Sequence, residues 1–243
     1  MLRPLILAVV LTLVLGQNAT RVCAAEPARQ QPSQADLKFQ VNYLLYLPNG
    51  YDEDKDKKWP VMIFLHGSGE RGTDLEKVKI HGPPKRIAQG HDFPFIVVSP
   101  QCPEHWRWSP PLLSGMLDQV LAQQRVDPDR VYLTGLSMGG FGTWDWAMAE
   151  PQRFAALVPI CAEGEPRAAK LMKDIPTWIF HGAKDQGVPV AGSQVMYDAL
   201  KKAGGDPKLT IYPELEHDSW TVTYENPELY KWLLEQKRPP VRN

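Results

Sequence analysis

The feature that most constrains the fold is the stretch GLSMG, which runs from Gly135 to Gly139 and places Ser137 between two glycines. The strand-like run VYLTG leads into it, and the helical pattern MGGFGTWDWAMAE follows the serine. G-x-S-x-G at a strand-to-helix junction predicts a very sharp turn, in which side chains at the flanking positions would clash and the serine hydroxyl stands clear of the sheet. An ordinary glycine-rich loop would explain the spacing but not the strand and helix around it. We therefore predict that Ser137 is a nucleophile.

Short runs of β-branched and aromatic residues alternate with helical patterns along the chain. The runs are nearly continuously apolar, which is typical of strands buried on both faces. They begin at Phe39, Val61, Phe95, Arg130, Phe154, Thr177 and Leu209. The helical patterns begin at Ser114, Met138, Pro189 and Asn226. This alternation predicts an α/β fold with a mostly parallel central sheet and helices on both faces, so that functional residues collect at the carboxyl ends of the strands.

Residues 1–25 predict a secretory signal peptide. Arg3 precedes an apolar run from Leu5 to Leu15 that is too short to span a bilayer, and small residues stand directly before Glu26. We therefore expect the chain to be secreted or periplasmic, without a stable membrane anchor.

The rest of the chain is predicted to form a flexible lead-in, residues 26–36, and one catalytic domain, residues 37–243. The lead-in is polar and rich in Pro and Gln.

The formal net charge of −1 comes without any basic run, which argues against nucleic acid as a partner. No H-E-x-x-H or paired-cysteine motif marks a metal site, and we predict no metal and no cofactor. Nothing in the sequence indicates an oligomeric state.

A serine nucleophile needs a base, and the base needs a group that orients it. In a fold of this class the acid and then the histidine follow the serine along the chain. His217 lies after the last strand and is predicted to be the base, whereas His181 lies at a strand end and is expected to bind the scaffold. Asp185 opens on the same face and is predicted to be the acid. The other carboxylates stand before that strand, in or after a helix, or directly beside the base: Asp174, Asp198, Asp206 and Asp218.

The segment HGSGERG follows the strand expected to neighbour the nucleophile strand. Its glycines let backbone amides turn into the cleft, where they stabilise a developing oxyanion. We predict that the backbone N–H groups of Ser68 and Met138 form the oxyanion hole. Glu70 and Arg71 in the same segment are expected to form an ion pair, the alternative being contact with a polar substrate.

Together these motifs resemble the α/β-hydrolase superfamily over nearly all of the chain after the leader. More narrowly, LHGSGERG, VVSPQCP, VYLTGLSMGG, FHGAKD and HDSW resemble a group of exported bacterial carboxylesterases. That group is related to feruloyl and acetylxylan esterases and to polyester depolymerases, and is similar to prolyl oligopeptidase. The resemblance implies a serine carboxylesterase that acts through Ser137, Asp185 and His217.

The resemblance has two structural implications. Its strand order separates the strands that end at Cys102 and Cys161 by two others, or about 14 Å, so both cysteines should be unpaired. Residues 162–174 alone separate one strand from the next at the place where lipases of this fold insert a lid. We therefore expect no large lid and an open cleft.

The substrate is predicted to be a small-molecule or polysaccharide-linked ester with a short acyl, acetyl or feruloyl group. Aromatic side chains on the catalytic face can stack on a sugar or an aromatic acid. The predicted substrate-binding residues are Gln101, Trp106, Trp108, Glu163 and Trp220. For Trp106 and Trp108, packing of the loop against the scaffold is an equally good interpretation.

Two other function classes stay open. One is an exported serine peptidase of the prolyl oligopeptidase type, although no propeller domain is visible in the sequence. The other is a non-catalytic carbohydrate-binding scaffold, against which the complete set of predicted triad residues argues. An acyltransferase that uses an alcohol in place of water would need the same residues.

Overall fold

Seven strands form one sheet in residues 40–238, the part of the chain that the computed structural model describes. They are β1 (Tyr43–Tyr46), β2 (Trp59–Leu65), β3 (Ile96–Pro100), β4 (Val126–Leu136), β5 (Ala156–Ile160), β6 (Trp178–Gly182) and β7 (Lys208–Tyr212). Their order in the sheet is β1-β3-β2-β4-β5-β6-β7, with β1 antiparallel to β3 and every other pair parallel. The predicted mostly parallel α/β sheet is confirmed. The predicted signal peptide, residues 1–25, and the predicted lead-in, residues 26–36, both lie outside the described residues.

Helices cover both faces of the sheet. They are α1 (Gly82–Ala88), α2 (Pro110–Gln123), α3 (Met138–Ala149), α4 (Ala169–Met172), α5 (Val190–Lys202), α6 (Trp220–Glu225) and α7 (Pro227–Glu235). Successive side chains of a strand point to opposite faces, so β2 contributes to two separate cores. Val61, Ile63 and Leu65 pack with α2, α3 and α5, whereas Met62 and Phe64 pack with α6 and α7.

One predicted helix boundary is wrong. The helix expected to begin at Ser114 begins at Pro110, and two prolines occupy its first turn. Proline is accommodated there because the first N–H groups of a helix have no partner within the helix. The proline pair therefore marks the start of α2 rather than a loop before it.

The connection after β5 is short, as predicted. Residues 162–174 contain a single 3₁₀ turn, Pro166–Ala168, and the four-residue helix α4. Such a segment is too small to form a helical lid over the strand ends. Among residues 40–238, no helix combines the length and apolar character needed to cross a bilayer.

The predicted catalytic residues all lie at the carboxyl edge of the sheet. Ser137 follows β4 directly, Asp185 lies in the loop after β6, and His217 lies in the loop after β7. Cys161 directly follows β5, while Cys102 lies beyond β3, and both thiols are free and buried. The β3 and β5 strands are separated by β2 and β4, as the resemblance implied.

Candidate active site

The turn that carries Ser137 is strained. Its φ and ψ are 50° and −119°, a backbone conformation that residues other than glycine seldom adopt, and they place Ser137 between the end of β4 and the start of α3. The Ser137 N–H donates to the carbonyl of Ile160 at 3.0 Å, which ties the turn to β5. Strain of this kind persists only where the surrounding structure holds it, and it is concentrated at functional sites.

Close backbone approach explains the glycines on either side of Ser137. A Cβ added to Gly135 would lie 2.3 Å from the carbonyl oxygen of Gly139. A Cβ added to Gly139 would lie 1.9 Å from the carbonyl oxygen of Leu65 in β2. The G-x-S-x-G spacing therefore reflects a helix that starts directly against the backbone of two strands.

The side chains of Ser137, His217 and Asp185 form one hydrogen-bonded line. His217 Nε2 lies 3.0 Å from Ser137 Oγ, and His217 Nδ1 lies 2.6 Å from Asp185 Oδ2. A carboxylate can only accept, so Nδ1 carries the proton and Nε2 presents its lone pair to the serine hydroxyl. This is the arrangement in which an imidazole can take the proton of a serine.

Backbone amides hold Asp185 in place. Its Oδ1 accepts the N–H groups of Gly187 and Val188, each at 2.8 Å. Burial raises the pKa of Asp185, but the hydrogen bonds from His217, Val188 and Gly187 outweigh burial and keep that pKa below its ordinary value. The carboxyl is therefore ionised at neutral pH and can stabilise an imidazolium.

His181 also contacts Asp185, with its Nε2 3.2 Å from Oδ2. Both of its ring nitrogens have other partners as well, because Nδ1 lies 2.7 Å from Ser193 Oγ and Nε2 lies 2.9 Å from the carbonyl of Val188. The side chain is fully buried. His181 thus braces the acid loop, in keeping with the scaffold interpretation.

The two predicted oxyanion donors each begin a helical segment. Met138 is the first residue of α3, and Ser68 is the first residue of a 3₁₀ turn that spans Ser68–Glu70. N–H groups at such positions have no partner within the helix and point toward anions. The sequence prediction for this pair stays a prediction.

A neutral histidine supports the loop that carries Ser68. His66 Nε2 accepts the N–H of Cys102 at 3.0 Å, so Nδ1 carries the proton and donates to the carbonyl of Gly67 at 2.6 Å. Burial lowers the pKa of His66 to about 4, against a smaller rise from the Gly67 carbonyl. His66 is therefore a rigid, uncharged support at neutral pH.

Two predicted substrate residues brace this loop instead. Gln101 is 4% exposed, and its amide donates to the carbonyls of Glu70 and Asp74 at 3.0 and 2.7 Å. Trp108 is 8% exposed and donates its indole N–H to the carbonyl of His66 at 3.1 Å. Neither side chain has much surface left for a substrate, which contradicts the substrate contact expected of Gln101 and favours the packing interpretation of Trp108.

The expected Glu70–Arg71 ion pair is wrong. Arg71 donates to the carbonyls of Ser68 and Trp106 at 2.9 and 3.3 Å. Glu70 is buried, with His66 and His81 as its nearest basic groups. The two neighbours separate because the 3₁₀ turn directs one side chain into the protein and the next along its surface.

The remaining predicted substrate residues differ in exposure. Trp106 is 48% exposed, and Glu163 is exposed beside Gly192 of α5. Trp220 is the first residue of α6 and stands edge-on to His217, with ring centroids 5.2 Å apart and ring planes at 90°. A substrate contact stays a prediction for these three residues.

Cys161 lies beside the candidate triad, a closeness that was not predicted from the sequence. Ligand atoms of Cys161, Asp185 and His217 lie within 4.8 Å of one another. Asp185 and His217 already share a hydrogen bond, and burial raises the pKa of the Cys161 thiol to about 12, so these groups do not present a ready set of metal ligands. Cys161 has a φ of 42°, a second strained residue beside Ser137. Its place directly after β5 was the available signal.

Comparison with known sequences identifies relatives among ester-hydrolysing proteins. The chain is 26% identical over 137 residues to a bifunctional acetylxylan esterase/xylanase, XynS20E, from Neocallimastix patriciarum, covering 52% of this chain and 19% of that protein. It is 28% identical over 171 residues to poly(3-hydroxyalkanoate) depolymerase C from Paucimonas lemoignei, covering 63% of this chain and 39% of that protein. The chain therefore spans well under half of the length of either relative.

Solved structures with the same fold include a thermostable esterase. Its TM-score is 0.70 at 36% identity, and the match covers 82% of this chain and 60% of that one. A feruloyl esterase module from Clostridium thermocellum in complex with sinapinate has a TM-score of 0.61 at 16% identity, covering 83% of this chain and 86% of the module. An acylaminoacyl peptidase from Pyrococcus horikoshii has a TM-score of 0.62 at 15% identity, covering 86% and 42%. The last two likenesses show the fold alone.

The family model described as Phospholipase/Carboxylesterase matches residues 107–228, just over half of the chain. This range contains the strained turn at Ser137 as well as Asp185 and His217. With the mostly parallel sheet and the short connection after β5, the match shows that the chain belongs to the phospholipase/carboxylesterase family of α/β-hydrolases.

Proposed function

We propose that this protein is a serine esterase that hydrolyses carboxylic esters through Ser137, His217 and Asp185. The observation that carries the proposal is the continuous hydrogen-bonded line from Asp185 through His217 to a serine on a strained turn. Family membership supports the same reaction class.

The proposed reaction has two halves. Ser137 Oγ attacks the ester carbonyl while His217 Nε2 takes its proton, and the resulting imidazolium then protonates the leaving alcohol. Water next attacks the acyl-enzyme, His217 takes a proton from that water, and the carboxylic acid leaves as Ser137 is restored. Asp185 stays ionised throughout, keeps the proton on Nδ1 and stabilises the imidazolium.

The proposed oxyanion hole consists of the backbone N–H groups of Ser68 and Met138. The first turn of α3 adds the positive end of a helix dipole at the place where negative charge develops. Removing one such donor costs about a hundredfold or more in rate in comparable sites. His66, Gln101 and Trp108 hold the Ser68 loop in position through the contacts described above.

The proposed substrates are short-chain, acetyl or feruloyl esters, including esters carried by a polysaccharide. The short connection after β5 supports this class, because it leaves the strand ends without a hydrophobic lid. The name of the acetylxylan esterase relative points the same way. Trp106 is the most exposed of the three tryptophans that we expect to meet such a substrate.

We further propose that residues 1–25 direct export, that residues 26–36 form a lead-in, and that residues 37–243 form the catalytic domain. The apolar run after Arg3 and the small residues before Glu26 support export. The charge balance supports a partner that is neither nucleic acid nor an anionic membrane.

The test is hydrolysis of matched substrate panels by the purified protein. The panels are short and long p-nitrophenyl esters, methyl ferulate, acetylated xylan and peptide p-nitroanilides. We expect turnover of short or feruloyl esters, its loss in Ser137→Ala and its retention in Ser109→Ala, which alters a serine at the start of α2 whose side chain forms no cap hydrogen bond.

A fluorophosphonate probe gives a second readout, with mass spectrometry of the labelled peptide. Labelling at Ser137 is expected, and labelling at any other serine would contradict the assignment. Turnover of the anilides but not the esters would favour the peptidase alternative. Silence toward every substrate and probe by a folded protein would favour a binding scaffold.

A further inference from the structure

A buried carboxylate lies beside the proposed site and has no role in the reaction described above. Glu70 is 6% exposed, and its Oε2 has no hydrogen-bond partner among residues 40–238. Two imidazoles flank it, with His66 Nδ1 3.9 Å from Oε2 and His81 Nε2 3.8 Å from Oε1. His66 is neutral and already donates to Gly67, so His81 is the neighbour still free to interact with the charge.

His81 connects this carboxylate to the first residue of α6. Its Nδ1 accepts the indole N–H of Trp220 at 3.3 Å, and the two rings meet edge to face with centroids 5.4 Å apart. A neutral imidazole that accepts at Nδ1 carries its proton on Nε2, the atom that faces Glu70. The Glu70 charge therefore favours the tautomer that holds Trp220, through an electrostatic contact longer than a hydrogen bond.

Trp220 in turn stands against the proposed base. Its ring is perpendicular to that of His217 at 5.2 Å, and its side chain is 9% exposed, so the indole is fixed in the protein. The His217 side chain is 34% exposed and lies in a loop. Its Nδ1 contacts Asp185 and its Nε2 contacts Ser137, which together fix a line through the ring but leave rotation of the ring plane about that line to other contacts.

We propose that Glu70, His81 and Trp220 form a positioning chain that fixes the ring plane of His217. The inference rests on the proposed function, in which His217 is the base. The chain also links the two halves of the site, because Glu70 belongs to the same 3₁₀ turn as the oxyanion residue Ser68. Movement of the oxyanion loop and movement of the base are thereby coupled through the side chains of Glu70, His81 and Trp220.

Steady-state kinetics with p-nitrophenyl acetate test the chain. Trp220→Phe keeps an aromatic edge but loses the N–H, and we expect kcat to fall about tenfold or more with KM nearly unchanged, since small misplacements of reacting groups are costly. His81→Leu and Glu70→Gln should lower kcat in the same direction. His81→Asn retains an acceptor near the Nδ1 position and should recover part of the loss.

A double-mutant cycle distinguishes residues that act in series on His217 from residues whose substitutions damage the structure independently. If the residues act in series, Trp220→Phe combined with His81→Leu should be no slower than the slower single variant. Multiplying effects would overturn the proposal, and so would a wild-type kcat in Trp220→Phe. The matched controls are His91→Leu and Glu235→Gln, which alter exposed residues away from the chain and should keep the wild-type rate.

Proton NMR supplies a readout that does not depend on turnover. The His217 Nδ1–H shared with Asp185 should give a far-downfield resonance, which we expect to shift or broaden in Trp220→Phe and His81→Leu but not in the controls. An unchanged Nδ1–H resonance in both Trp220→Phe and His81→Leu would overturn the proposal. If the wild type hydrolyses no ester, the proposed function fails while this resonance still reports on the chain. Trp220→Tyr serves in place of Trp220→Phe should that variant not fold.

Discussion

The turn at Ser137 and the loops around it reach their geometry by different means. At the turn, backbone meets backbone: Gly135 and Gly139 are required because the start of α3 lies against β2 and β4. In the loop that carries Ser68, side chains from distant segments hold backbone carbonyls, as Gln101 does for Glu70 and Trp108 does for His66.

This difference separates two kinds of dependence on sequence. A turn formed by close contact between backbone segments tolerates no side chain at its glycines, and it can be identified in the sequence as a short motif. A loop braced by side chains depends on partners far away along the chain, and loses its support in increments when they change. The predictions below test that contrast, from the largest expected effect to the smallest.

The largest effect is expected at the acid that backbone amides fix. Asp185→Asn should lower kcat by about 10⁴-fold, because an amide no longer keeps the proton on His217 Nδ1. Steady-state kinetics with a short p-nitrophenyl ester give the measurement. Asp218→Asn is the matched control, since Asp218 hydrogen-bonds the Thr221 amide at 3.0 Å and takes no part in the line to Ser137. A comparable loss in that control would refute the assignment.

Next is the turn itself. Gly139→Ala places a Cβ 1.9 Å from the Leu65 carbonyl oxygen, so we expect a loss of more than about 4 kcal/mol in the free energy of unfolding, or failure to fold. Gly115→Ala, in α2, meets nothing within 4 Å and should be neutral or stabilise the protein by up to about 1 kcal/mol. Urea unfolding compares the two variants, and equal free energies of unfolding would contradict the conclusion that the turn requires glycine at residue 139.

The side-chain support should make stability depend on pH. The pKa of His66 is lowered to about 4 in the folded state, against the ordinary 6.5, so the unfolded state binds the proton first as pH falls. Stability should therefore fall between about pH 6.5 and pH 4, by about 3 kcal/mol at most, and this contribution should level off below that range. Urea unfolding of the wild type and of His66→Asn across this pH range measures the contribution of His66 to the free energy of unfolding. Parallel curves for the two proteins would rule the effect out.

The smallest effects distinguish the two tryptophans after β3. Trp108→Phe loses the N–H that supports His66, so it should lower the free energy of unfolding by about 1 kcal/mol with little change in KM. Trp106→Phe alters an exposed side chain and should stay within about 0.5 kcal/mol of wild type. Thermal unfolding measures both variants, and a larger loss for Trp106→Phe would reverse the assignments.

The outline of the site was predictable because it follows from topology and local geometry. Parallel strands place their carboxyl ends at one edge of the sheet. Because Ser137, Asp185 and His217 each follow the end of such a strand, the sequence predicted that they lie close together, and they do so in the structure. The start of α2 was misplaced, since Pro110 reads equally as a loop residue and as the first turn of a helix.

The supporting contacts were not predictable, because each joins segments that only folding brings together. Gln101 and Trp108 looked available to a substrate until the structure showed which carbonyls they hold. Cys161 and His81 carried no motif, and the side chains that they approach, Asp185 and His217 for Cys161 and Trp220 for His81, lie far away in sequence.

The sequence by itself therefore determined the sheet, the turn at Ser137 and the order of the candidate triad. Hydrophobic periodicity and glycine spacing record these features, because each is a constraint on consecutive residues. Only the tertiary structure decided which polar side chains brace the loops and which stay free to meet a substrate. Those roles are set by distances between residues far apart in sequence, such as Glu70, His81 and Trp220, and no local pattern encodes such distances.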